Sequence, residues 1–221
     1  MELEQGYMSY VERKNGRLYK SINYFNAYNE PVGPYEECKM LKYISKLGSE
    51  FPQNVKCEGS HGLSYDYIPG ITLKKYVDIN YPIPISKQKD IIYQIINGYY
   101  KLFKVGFYHG DPGLKNFLID NIGNIHIIDF GLAYSPYRKV ISPPIIHKPN
   151  FDESSEDSDE DLYEPEEEYF DIDIISNELG FTNLILGLLE ELFNTELLDE
   201  SLYELLIDNI DDKNKLELIL S

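Results

Sequence analysis

The sequence predicts an α+β fold in two lobes, and three observations lead there. Residues 1–68 carry short strand-like runs around one helical stretch, the later residues are dominated by Leu/Ile-rich helical periodicity, and Pro69-Gly70 breaks the chain between the two regimes. The expected organisation is a single domain of 221 residues, long enough to bury a real core, with a small antiparallel-sheet lobe at 1–68 and a mainly helical lobe at 69–221.

Taken in order, residues 3–23 alternate apolar and polar side chains about Asn15-Gly16, a dipeptide suited to a tight hairpin, and predict two or three short strands. Pro34 suits a first helical turn, and Tyr35, Cys38, Leu41 and Tyr43-Ile44 fall near one face of a helix ending near Gly48. Residues 55–57 and 63–68 read as two further strands. From 86 to 104, Ile91-Ile92, Ile95-Ile96, Tyr99-Tyr100 and Phe103 recur at helical spacing, with Ser86 as expected N-cap. Residues 117–119 and 125–128 predict strands about the turn at 121–124, which puts Asp129 at a strand end. Residues 172–193 and 197–220 are helical in pattern and would cap the second lobe.

Charge narrows the function. Lys plus Arg number 20 against 38 Asp plus Glu, a formal net charge of -18, which argues against direct binding of nucleic acid. Eleven of the acidic residues fall between Asp152 and Glu168 with no Lys or Arg among them, so the insert at 148–168 is expected to be disordered. Ser154, Ser155 and Ser158 in that setting resemble substrates of an acidophilic kinase. No apolar run approaches the roughly 20 residues of a membrane-crossing helix, so no membrane association is expected. Cys38 and Cys57 match neither a disulfide framework nor a CxxC metal spacing, which predicts buried thiols in a reducing, cytoplasmic setting. Heavy use of Ile, Asn, Lys and Tyr suits AT-rich coding sequence, as in a large DNA virus or a similarly biased microbe; the setting would then be the host cytoplasm.

The stretch that carries chemistry runs His109-Gly-Asp-Pro-Gly-Leu-Lys-Asn116, then Phe-Leu-Ile-Asp, a turn, and Ile125-His-Ile-Ile-Asp-Phe-Gly131. Phosphoryl transfer needs an oriented hydroxyl, a held metal and neutralised phosphate charge. Asp111 suits the first task; Asp129 and Asn116 offer hard oxygen ligands of the kind Mg2+ demands.

These residues resemble the protein-kinase superfamily, whose catalytic loop reads H-R-D-x-x-x-x-N and whose metal loop reads D-F-G. The resemblance implies a two-lobed protein-kinase-like fold using ATP and Mg2+, with Asp111 as catalytic base, Lys115 as a candidate to assist transfer, and Asn116 and Asp129 on the metal. Arg17-Leu-Tyr-Lys20 is similar to the strand that ends in the ATP lysine, and Glu37 stands as its acidic partner. Gly6 is what remains of the phosphate-covering loop. Residues 63–73 resemble the hinge, with Tyr65 as gatekeeper and Asp66, Tyr67 and Ile68 beside adenine. The resemblance implies that Asp171 or Asp173 is the carboxylate that braces the catalytic loop, with a helix-capping carboxylate as the equal alternative. Gly110 departs from the usual Arg, a form shared by the RIO kinases, the KEOPS-complex kinase and the aminoglycoside and choline kinases; Gly113 stands where Ser/Thr kinases usually carry Lys, and no Ala-Pro-Glu motif follows.

The expected function is therefore a serine/threonine protein kinase acting on a protein substrate, a basic one suiting the acidic surface, with a regulatory partner as a further possibility. The alternatives are a small-molecule kinase of the aminoglycoside or choline type, and a pseudokinase or ATPase subunit of a complex.

Overall fold

The computed structural model describes residues 3–5, 9–22, 34–59, 62–131, 133 and 178–220. Its first sheet is antiparallel with strand order β1-β2-β3-β5-β4, built from β1 Leu3–Gln5, β2 Ser9–Lys14, β3 Arg17–Ile22, β4 Lys56–Cys57 and β5 Gly62–Asp66. The β2–β3 hairpin turns through Asn15 (φ 52°) and Gly16 (φ 74°), the paired left-handed conformations that match strand twist, and this brings Lys14 opposite Arg17. From there the register carries Lys20 opposite Leu63 of β5, fixing which face of the sheet the lysine occupies.

Helix α1, Pro34–Ile44, packs on this sheet through buried Cys38, Met40, Leu41 and Ile44. The thiol expectation is corrected here: Cys38 and Cys57 form a disulfide, with Cα atoms 5.6 Å apart, that ties α1 to β4. Two cysteines 19 residues apart give no framework pattern in sequence, and only folding α1 over β4 brings them together. The cytoplasmic inference thereby loses one of its grounds. Replacing both cysteines by Ala is expected to lower unfolding stability by about 3 kcal/mol through the freed loop, measured by denaturant titration without reductant.

The second lobe begins with β6 Gly70–Thr72, which pairs with β7 Phe117–Asp120, itself paired with β8 Ile125–Ile127. Gly70 thus opens a strand rather than only marking a turn, and its missing side chain is what permits the pairing: a Cβ there would stand 2.5 Å from the Ile119 carbonyl oxygen. Helix α2, Leu73–Asn80, was not foreseen; it is short and is capped by Thr72, whose Oγ1 accepts from the Lys75 amide.

Helix α3, Ile85–Lys104, is the long amphipathic element, burying Ile91, Ile92, Ile95, Ile96, Tyr99 and Leu102. Its cap is Pro84, not Ser86: the Pro84 carbonyl accepts the Lys87 and Gln88 amides at 2.8 and 3.0 Å, placing Ser86 inside the first turn. The expected helix at 172–193 is α4, Glu178–Asn194, and the expected helix at 197–220 divides into α5, Glu200–Ile207, and α6, Lys213–Leu220. Asp199 starts α5 by accepting the Ser201 amide, and Asp212 accepts the amides of Asn214 and Lys215 as the chain re-enters helix at α6. No helix among the described residues is long and apolar enough to cross a membrane. The acidic insert, Gly6, Asp171 and Asp173 lie outside the described residues.

Candidate active site

The two lobes meet at Lys20. Its Nζ lies 3.0 and 2.9 Å from the two carboxylate oxygens of Glu37 on α1, and 2.7 Å from Asp129 Oδ1, which follows β8. Three residues far apart in sequence therefore share one cluster, with Glu37 only 4% exposed and the Asp129 side chain 51% exposed. The exposure gradient is informative: Glu37 is spent on Lys20, whereas Asp129 keeps an open side toward solvent.

Asp111, Lys115 and Asn116 lie in the loop before β7, whose last turn is the 3-10 segment Leu114–Asn116. Buried Asn116 donates from Nδ2 to the Asp111 carbonyl at 2.9 Å, while its own carbonyl accepts the Ile128 amide at 2.9 Å, so the loop is stitched to the strand that leads into Asp129. His109 reinforces the same junction. Its Nε2 contacts the Ile128 carbonyl at 2.9 Å and its Nδ1 accepts the Asp111 amide at 3.3 Å, an arrangement that assigns the ring proton to Nε2. The buried Phe130 ring packs tilted at 4.7 Å from His109 and edge-on at 6.2 Å from Phe51, holding the loop after β8 against the loop before β7. Lys115 Nζ lies 3.2 Å from Asp111 Oδ2.

Electrostatics follow from this packing. Burial alone would pull the Lys20 ammonium down, but the charges of Glu37 and Asp129 and the bonds to both outweigh it and hold Lys20 protonated far above the usual lysine range. Burial pushes the Asp129 carboxyl up, yet Lys20 and the Gly131 amide bring it below the usual carboxylate value. For Asp111 the upward push of burial is likewise overcome, by Asn116, Lys115 and the Gly113 amide. Both carboxylates are therefore ionised at neutral pH.

Burial lowers the His109 pKa, against the opposing pull of the Ile128 carbonyl and the two aspartates. The unfolded chain then takes up a proton near pH 6.5 that the folded chain refuses, so stability falls as pH drops below 6.5 and levels off only below the folded pKa. Denaturant titrations at pH 7 and 5.5 are expected to show this loss, with a slope contributed by His109 of up to about 1.4 kcal/mol per pH unit; a His109→Gln chain is expected to lack that contribution.

Of residues 65–68, Tyr65 is buried within β5. Asp66 and Tyr67 have structural partners: the Asp66 amide donates to Gln53 and its carboxylate pairs with Arg17 at 3.0 Å, while the Tyr67 amide donates to Gly16 and its ring lies 3.7 Å from the Arg13 guanidinium carbon. Among the described residues the Ile68 amide has no backbone partner. Arg17, which joins Asp66, Ser64 and the Asn54 carbonyl, was not singled out in the sequence because its partners lie 37 to 49 residues away.

The donor set fits a magnesium ion. Among the described residues no group of three or more His, Cys, Asp or Glu side chains forms a cage. Asp129 and the Asn116 amide oxygen would offer two hard oxygens, and Mg2+ commonly takes one or two protein ligands with waters and substrate phosphates completing its octahedron.

Comparison with known proteins agrees with this geometry. A protein kinase domain model matches residues 36–142, just under half of the chain and inclusive of Glu37, Asp111, Asn116 and Asp129. The serine/threonine-protein kinase PrkC of Bacillus subtilis is 35% identical over 68 residues, covering 31% of this chain and 10% of PrkC. A Dictyostelium discoideum protein named "Probable serine/threonine-protein kinase fnkB" is 30% identical over 128 residues, covering 55% of this chain and 23% of its own length. A Lactococcus lactis protein named "Probable serine/threonine-protein kinase PknB" is 28% identical over 76 residues, 34% of this chain and 12% of that protein. The chain thus spans less than a quarter of the length of these relatives. The fold is α+β in two lobes, consistent with a protein-kinase-like architecture. Within that class, the chain is similar over its central region to serine/threonine-protein kinases.

Proposed function

We propose that the chain transfers the γ-phosphate of Mg-ATP to a serine or threonine hydroxyl of a protein, working as one domain with its lobes divided at 68/69. The observation that carries the reading is the Lys20 ammonium held between Glu37 and Asp129, a cation anchored from one lobe to a half-exposed carboxylate of the other. Such a cation is placed to neutralise nucleotide phosphates, and Glu37, braced by a buried helix, fixes its position. Asp129 and Asn116 would hold a Mg2+ ion, which would supply positive charge to offset that of the nucleotide phosphates. Asp111 Oδ accepts the hydrogen bond of the acceptor hydroxyl and then its proton, and Lys115, 3.2 Å away, keeps that carboxylate ionised and steadies charge beside it.

The compact, Gly-containing form of the catalytic loop belongs to the same proposal. Gly110 has φ 81°, in the left-handed region where a side chain is strained, so glycine suits this backbone and an Arg would not sit there without rearrangement. Phosphoamino-acid analysis of a labelled basic protein tests the acceptor type. Label in phosphoserine or phosphothreonine is expected; label confined to phosphotyrosine, or to an added small alcohol, would refute the serine/threonine reading.

A further inference from the structure

The row of the first sheet that carries Lys20 also carries the disulfide. Lys20 on β3 stands opposite Leu63 on β5, and Leu63 stands opposite Cys57 on β4, so the three side chains share one face of the sheet, the face that α1 covers. Helix α1 meets this row with consecutive residues: Glu37 takes Lys20 at 2.9 Å, and Cys38 is bonded to Cys57. Two cross-links, one ionic and one covalent, therefore fix the same point of the helix. Met40, Leu41 and Ile44 hold the turns that follow by apolar packing. Burial pushes the Glu37 carboxyl up in spite of the Lys20 charge, so the ion pair alone offsets only part of the cost of keeping a carboxylate there. The covalent link is open to chemistry at one end. Cys38 is fully buried, whereas Cys57 is half-buried on β4, the edge strand of the sheet, between exposed Lys56 and Glu58. The chain has two cysteines and both are in this bond, which gives it one oxidised and one reduced form.

We propose that the Cys38–Cys57 bond is a redox-responsive latch that positions Glu37 on Lys20, so that the oxidised chain transfers phosphate and the reduced chain does so poorly. The assignment rests on the phosphotransfer reading above, because it is through Lys20 and the nucleotide phosphates that the latch is felt. A small dithiol is the reductant. Its first thiolate attacks Cys57 Sγ, the more accessible sulfur; the S–S bond breaks and Cys38 leaves as a thiolate that takes up a proton. The second thiolate of the dithiol then attacks its own sulfur in the mixed disulfide, and Cys57 leaves and is protonated in turn. Two electrons and two protons pass to the chain, and the dithiol ends as a cyclic disulfide. Residue 38 is then free to move off β4, residue 37 moves with it, and the buried carboxylate gains water as it leaves Lys20. Cys38 and Cys57 are positioning residues: they act through Glu37.

The test uses the full chain, assayed for transfer from Mg-ATP to a basic protein when oxidised, after treatment with dithiothreitol, and after removal of the dithiol and reoxidation with oxidised glutathione. Thermal unfolding of each form sets an assay temperature at which all are folded. Reduction is expected to lower kcat/KM for Mg-ATP by about tenfold, with KM for the protein acceptor unchanged and the loss reversed on reoxidation. A chain carrying both Cys38→Ala and Cys57→Ala should work at the reduced level and ignore the dithiol. Glu37→Gln, which has already lost the paired charge, should change by less than about twofold on reduction. General loosening of the lobe would slow that variant as much as the wild type. Hydrogen exchange over residues 34–44 follows the helix without any transfer, and it should quicken on reduction while exchange in α3 stays as it was. Equal transfer by the oxidised and reduced wild type, or equal exchange at α1, overturns the latch alone. A chain whose α1 exchange quickens on reduction but which transfers phosphate in neither form overturns the phosphotransfer reading and the latch with it.

Discussion

Asp129→Asn is expected to reduce phosphate transfer by about a thousandfold while leaving the fold intact. Asn keeps the size of the side chain and its ability to accept the Gly131 amide, and the exposed side of residue 129 imposes little packing demand. What disappears is the negative charge, which a divalent metal held there would need and which a neutral amide replaces poorly. Lys20 would retain Glu37 at 2.9–3.0 Å, so the cluster loses one arm and not its anchor. Thermal unfolding close to that of the parent, together with lost transfer, is the expected pair of results; a transfer rate within a few-fold of wild type would remove Asp129 from the metal.

Lys20→Met carries a different signature because it damages both chemistry and stability. The substitution removes the cation from a Glu37 carboxylate that is 4% exposed, and an uncompensated buried charge costs about 3–5 kcal/mol. Transfer should fall by about a hundredfold or more as the phosphates lose their partner. The two losses can be separated. A Lys20→Met, Glu37→Leu double variant should recover most of the stability, because no buried charge is left alone, yet remain inactive. Recovery of both, or a single variant as stable as the parent, would show that the Lys20–Glu37 contact does not have the role assigned to it.

How much of this was legible in the sequence depends on the range of the interactions that fix each element. The β2–β3 hairpin was readable because Asn15-Gly16 dictates its own turn, and α3 because its apolar positions repeat over twenty residues. The spacing of His109, Asp111, Asn116 and Asp129 was readable because one loop and one hairpin hold all four, and the structure hydrogen-bonds the first three to one another and to Ile128, the residue before Asp129. The pairing of Lys20 with Glu37 came from resemblance and is met by the geometry at 2.9 Å. Contacts that fold distant segments together left no local trace. The Cys38–Cys57 disulfide depends on α1 lying over β4, and Glu191 approaches Gly113 from a helix 78 positions later. Helix α2 was missed because eight residues span little more than two turns, too few for periodicity to stand out, and the break between α5 and α6 hides in a Leu-rich stretch whose apolar pattern continues across it.

Transfer of label from γ-labelled ATP with Mg2+ to a basic protein, compared between the wild type and Asp129→Asn, tests the central claim most directly. The account predicts label incorporated by the wild type and lost both in the variant and on removal of the metal; a wild-type chain that binds ATP yet neither transfers nor hydrolyses the phosphate would contradict it.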